Sequence, residues 1–278
     1  MNTSPEQRLA TFASQVRALR CRLRDQSSIE PTLAASIKAI KQFQSARLAL
    51  SHADLLAHPR YGDAAKFFLF DLYGVKDFSQ RDAELARVIP ALQRFLPRAA
   101  LSVIADAVQL DALSEQLDFL LGQQLQKTVS AYSGDSGSNR LNSDVVNVLG
   151  AAKAGGSLGL KWPLYRAAYC IVDADAQSRA MRVAQMQLVM SIGLTLNGLV
   201  RKPLLGGLLK SMGPVAMAAG VGTMHDFLTR GFTAYKSMQD AQPFLQIIQS
   251  REQSMHDASV SSATDDQVLE SQSLIGLA

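Results

Sequence analysis

Apolar residues in this chain recur three and four positions apart, and no stretch alternates with period two for long enough to make a strand. Leu9, Phe12, Val16, Leu19 and Leu23 follow the spacing 3, 4, 3, 4. That spacing puts them on one seam of a helix over about residues 5–24. The pattern returns along the chain, which predicts an all-α fold. The expected architecture is a multi-helix bundle of two packed helical halves, with an N-terminal helical hairpin and a disordered C-terminal tail. The composition agrees: 47% hydrophobic and 19% charged residues in 278 describe a globular chain.

Local punctuation gives the expected elements. Pro31 suits a first helical position, so a second helix is expected over 31–57, with Leu33, Ile37, Ile40, Phe43 and Leu50 inward. A short connection makes the first two helices antiparallel neighbours, which buries the Leu9–Leu23 seam. A third helix is expected over 64–73, capped by Asp63 and Gly74. Ser79–Asp82 is a capping-box pattern, and Pro90 interrupts the apolar stripe after it. Helical pieces follow at 98–109 and, capped by Asp111, at 111–132, where Leu113, Leu117, Leu120, Leu121 and Leu125 face inward. Residues 133–142, SGDSGSNRLN, read as a linker. Beyond it helices are expected at 143–153, 162–172, 175–200, 203–212, 214–221, 223–238 and 241–256. The resulting organisation is 1–132 as an N-terminal helical region, 133–142 as linker, 143–256 as a C-terminal helical region and 257–278 as a flexible tail.

The N-terminus, MNTSPEQRLATF, shows neither a basic nor an apolar leader segment. With only Cys21 and Cys170 available for disulfide chemistry, the expected compartment is the cytoplasm. The formal net charge is +4. Arg17, Arg20, Arg22 and Arg24 could line an anion-binding stripe, although a solvated helix face is the favoured reading. No zinc-ligand or RNA-binding motif accompanies them, so a nucleic-acid partner is not expected.

Most catalytic signatures are absent from the sequence. There is no Glu-x-x-His, H-E-x-x-H, C-x-x-C or Walker loop. Gly155-Gly156-Ser157-Leu158-Gly159 follows no strand and reads as a loop. His52 and His58 do not share a helix face. Glu252 and His256 are four apart, but fall where the chain is expected to fray. No cofactor and no metal is expected. Eight of nine methionines lie between 181 and 255, either as ordinary core or as an adaptable groove. Residues 183–200 carry no charge, yet Gln185, Gln187 and Asn197 argue against a membrane span. Integral insertion is not expected; surface association is the weaker membrane reading.

The stretch from Pro59 to Asp82, PRYGDAAKFFLFDLYGVKDFSQRD, resembles the FFLEELY-motif proteins, a bacterial family. The resemblance continues through Ala86–Pro90 and Leu110–Glu115, returns at Arg201–Gly206 and Phe227–Phe232, and covers about residues 50–252. Phe70 stands where the family motif has its first Glu, and Asp71 replaces the second. The resemblance implies an all-α cytoplasmic protein and no particular reaction, substrate or cofactor.

The leading functional expectation is a non-enzymatic protein that binds a partner protein or an apolar small molecule. One alternative is an enzyme whose site joins Arg60, Tyr61, Asp71, Tyr73, Asp77 and Arg81. Another is a peripheral membrane or nucleic-acid-binding protein using the N-terminal Arg stripe. Oligomeric state is left open. At 100° per residue, residues 67–73 are apolar nearly all round, which predicts an enclosed helix. Asp71 would then be desolvated and would need a donor such as Arg60, Lys76, Arg81 or Arg87.

Overall fold

The computed structural model describes residues 4–72, 84, 96–132 and 160–261. Every regular element among them is helical. We number the α-helices α1 (Pro5–Ile29), α2 (Pro31–Ser51), α3 (Ala53–Ala57), α4 (Gly62–Lys66), α5 (Arg98–Tyr132), α6 (Trp162–Ala174), α7 (Ala176–Leu199), α8 (Pro203–Ala218), α9 (Gly222–Ser237) and α10 (Gln242–Val260). A π-helical segment, Phe67–Leu72, follows α4. The expected linker at 133–142, the capping box at 79–82, the Pro90 break, the helix at 143–153, the glycine loop and the tail beyond 261 lie outside the described residues.

Several expected boundaries are corrected. Asp111 does not open a helix: α5 runs unbroken through it for 35 residues. Pro214 lies inside α8 rather than separating two helices. The last helix continues to Val260 instead of fraying near 256. Leu50, expected inward, is exposed. The expected α-helix over 64–73 changes at Phe67 into the wider π turn. That change breaks the 100° step on which full enclosure rested. Phe67, Phe68 and Leu69 enter the core, while Phe70 is half exposed.

The chain forms two compact units, each drawn from both sides of residues 133–142. The first takes Met1–Ala18, His52–Ala112 and Gln185–Ser250. Its main core joins Leu55, Tyr61, Ala64, Phe67 and Phe68 to Tyr235, Met238, Phe244 and Leu245. Ring centroids lie 5.2 Å apart for Phe67–Phe227 and 5.8 Å apart for both Phe68–Tyr235 and Phe68–Phe244. Leu9 of α1 is fully buried against Leu101, Ala105, Ala216, Val221 and Met224. Phe12, Val16 and Leu23 of the same seam lie outside the described side chains. Buried Glu84 accepts the Met224 N–H at 2.8 Å, where the first turn of α9 presents its unpaired donors.

The second unit takes Leu19–Ser51, Leu113–Ala184 and Arg251–Ala278. Ala39 and Ile40 of α2, Leu121 and Leu125 of α5, and Trp162, Leu164, Tyr165 and Tyr169 of α6 form its core with Met255 of α10. Helices α2 and α5 meet at Gly122, where an added Cβ would lie 2.5 Å from Ile37 Cγ1 and 3.2 Å from the Ile37 backbone nitrogen. Asp175 starts α7: its Oδ2 accepts the Ser178 N–H at 2.8 Å and the Ser178 hydroxyl at 2.9 Å. Those bonds hold its carboxyl below the usual carboxylate range.

Candidate functional site

Three regions compete for the functional role. The first is the motif region in the first unit. Arg60 donates from Nε to Met238 O and from Nη2 to Asp240 O at 3.3 Å. Its guanidinium also lies over the Tyr61 ring at 5.4 Å, and His58 stacks on that ring at 4.5 Å. The clamped segment is the α9–α10 turn, where Gln239 holds a φ of 61°. Arg201 reaches the same turn, donating to Gln239 O at 3.2 Å and Asp240 Oδ1 at 3.3 Å. Asn197 donates to Asp240 Oδ1 at 2.9 Å and accepts from the Ala241 N–H. The Gln242 N–H, then Asn197, and the nearby Arg201 and Arg60 hold the Asp240 carboxyl below its ordinary range.

Asp71 sits elsewhere on this surface, paired with Arg230 Nη2 at 3.2 Å. The Asp71 side chain is 21% exposed and that of Arg230 55%. Asp71 is therefore less enclosed than the all-apolar wheel suggests, and Arg230 of α9 is a partner that proximity in sequence does not indicate. Tyr73, Asp77 and Arg81 lie outside the described residues. The structure thus brings Arg60 and Tyr61 together as a structural clamp and sets Asp71 in an ion pair. Two of the separated stretches that carry the family resemblance, around Phe67 and Phe227–Phe232, meet here. Gly231 lets α9 approach the Phe67 ring, where an added Cβ would be 2.7 Å from Cζ, and Gly206 faces Phe232.

The second region is a charged and aromatic cluster in the second unit. Helical spacing builds it: Lys41, Gln44 and Arg47 on α2, Glu115 and Asp118 on α5, Tyr165 and Tyr169 on α6, Glu252 and His256 on α10. Arg47 Nη1 holds both Glu252 oxygens, at 2.6 and 2.7 Å. Burial by itself would lower the Arg47 pKa, but Glu252 and the neighbouring Tyr165 leave it raised. Lys41 Nζ donates to Glu115 Oε1 at 2.7 Å. Tyr165 stacks on Phe43 at 4.4 Å and accepts from Gln44 at 3.4 Å. Tyr169 shares a 2.9 Å hydrogen bond with His256 Nδ1, and Arg182 covers its ring at 4.5 Å. Desolvation pushes the Asp118 carboxyl up to about 6, against the pull of Lys41, Arg182 and Gln44 and with the help of Glu115. Burial likewise raises the Tyr165 and Tyr169 hydroxyls. Asp118 and Arg182 escaped the sequence reading, although charges on the apolar faces of α5 and α7 were a signal.

The third region is the outer side of α8 in the first unit. Leu204, Leu208, Ser211 and Val215 follow spacings of 4, 3 and 4 and form one stripe. Leu204 is 85% exposed, Val215 69% and neighbouring Met217 67%. The opposite side packs, with Leu205 and Ala216 joining two core clusters. The methionines accordingly divide between two roles: Met224, Met238 and Met255 are core, whereas Met217 is surface. The nearly continuous apolar run over 203–218, broken only by Lys210 and Ser211, was the missed sequence signal.

Among the described residues no group of three or more His, Cys, Asp or Glu side chains is placed to hold a metal ion. No single described helix is long and apolar enough to cross a membrane. Neither a curated protein nor a solved structure matches the chain. A family model described as a domain of unknown function, DUF8198, matches residues 23–136 and 130–266. Those two matches cover most of the sequence, so the chain belongs to the DUF8198 family.

Proposed function

We propose that this is a non-enzymatic binding protein of the cytoplasm that docks through the outer face of α8 onto an apolar counterpart. The observation that carries the reading is the exposed Leu204–Val215 stripe on a helix whose other side is packed. A helix apolar on both sides is normally covered on both. The motif residues favour the same view, because Arg60 is engaged by backbone carbonyls and Tyr61 by the core. In the second unit the charges also meet one another, Lys41 with Glu115 and Arg47 with Glu252. The FFLFDLY stretch lies inside the family match, and it is the letters of that stretch that carry the proposed kinship with the FFLEELY-motif proteins.

A photocrosslinker introduced at Ser211, exposed on this stripe, tests the docking role in the host cell. The expected result is a discrete protein or lipid adduct at Ser211 and none from the exposed Lys236 on α9. Equal labelling from both positions, or none from either, would sink the reading.

A further inference from the structure

We propose that the occupant of the α8 face is the surface of an anionic membrane, entered shallowly by the Leu204–Val215 stripe. The inference rests on reading that face as a docking site and adds the chemistry of the partner. Helix α8 contains no Asp or Glu. Lys202 immediately precedes α8 and Lys210 lies within it, and both are exposed. Exposed apolar side chains flanked by cations are what an interfacial helix presents to anionic lipid.

Geometry favours lying on the bilayer over crossing it. Leu204 and Val215 are eleven residues apart, so the stripe extends about 16 Å along the helix. Helices α7 and α8 together have the length and composition of a membrane segment, but they are bent by 94°. Ile192 and Leu199 of α7 are already committed to the protein core. Leu194 of α7 is exposed as well, but the most exposed apolar side chains of the pair, Leu204 and Val215, lie on α8. Gly207 and Ser211 are small residues on the exposed side, so Leu204 and Val215 project beyond them. A second copy of the chain fits this face less well. Isologous pairing would oppose Lys202 and Lys210 to the same residues, and α8 itself carries no acid to neutralise them.

Flotation of the full chain with phosphatidylcholine vesicles, with and without phosphatidylglycerol, tests the proposal. Native mass is measured in parallel. The wild type should float with the phosphatidylglycerol vesicles alone, and less as salt rises. Leu204→Asp with Val215→Asp should lower the bound fraction at least about tenfold. Lys202→Glu with Lys210→Glu should do the same while leaving the melting temperature intact, since both lysines are exposed. Equal flotation with both vesicle types, or indifference to the lysine changes, overturns the anionic-surface proposal. Absence of flotation overturns it too. If a Leu204-sensitive oligomer then appears, the docking reading survives with a protein occupant. If native mass is monomeric and Ser211 gives no adduct, both fall.

Discussion

Asp118 is a half-buried carboxylate surrounded by Lys41, Glu115, Arg182 and Gln44, and desolvation outweighs its cationic neighbours. Its pKa rises from 3.8 to about 6, so the folded state disfavours the ionised form. The resulting destabilisation is fully present above about pH 6 and disappears as pH falls through 6 toward 4. A shift of that size corresponds to about 3 kcal/mol, which partial exposure reduces to about 2 kcal/mol. Asp118→Asn should therefore stabilise the protein by about 1–2 kcal/mol at pH 8, with an advantage that shrinks on acidification to pH 5. Urea unfolding of both proteins across that range checks it. A variant less stable than wild type at pH 8 would show that the carboxylate's cation contacts dominate its desolvation. The Asp71–Arg230 pair belongs to the other extreme: more than half of Arg230 is exposed, so solvent screens the pair.

At the scale of elements, close helix approach is set by single glycines. At Gly122 the obstacle to a side chain is partly the Ile37 backbone, which cannot rotate away. Alanine gains about 1 kcal/mol of helix propensity, yet must separate α2 from α5. Overpacking costs about 1–3 kcal/mol, so Gly122→Ala should lower the melting temperature despite the better propensity. Adding Ile37→Ala should recover only part of the loss, because the contact with the backbone nitrogen at 3.2 Å persists. A raised melting temperature for Gly122→Ala alone would mean that the helices tolerate a wider spacing. The π-helical segment makes a related point. The sequence reading assigned 100° to every residue of the FFLFDLY stretch. The wider turn re-aims Phe67, Phe68 and Leu69 inward and leaves Phe70 outside.

At the scale of the whole molecule, neither compact unit is a continuous piece of chain. The first depends on Phe67 against Phe227 and on Arg60 reaching Met238. The second depends on Phe43 against Tyr165 and on Arg47 gripping Glu252. Cutting the chain between residues 142 and 143 divides both cores. The two fragments expressed separately should each lack a cooperative thermal transition, whereas coexpressed they should copurify as a folded pair. Circular dichroism melts and a tag on one fragment check both outcomes. A cooperative melt from fragment 1–142 alone would show that its helices need no partner from the other side.

The sequence by itself determined that the chain is helical and where most helices lie. Helix formation depends on short-range spacing and on punctuation such as Pro31, readable within a few residues. Which residues meet was decided by tertiary structure. Arg60 and Met238 are 178 positions apart, and Arg47 and Glu252 are 205 apart. No local pattern records such pairings, since they follow from packing whole helix faces. The same holds for the acidity of Asp118, which depends on excluded water and neighbouring charges from α2 and α7. It holds too for α8: its apolar composition was legible, but tertiary packing alone decided which of its leucines would be covered and which would face outward.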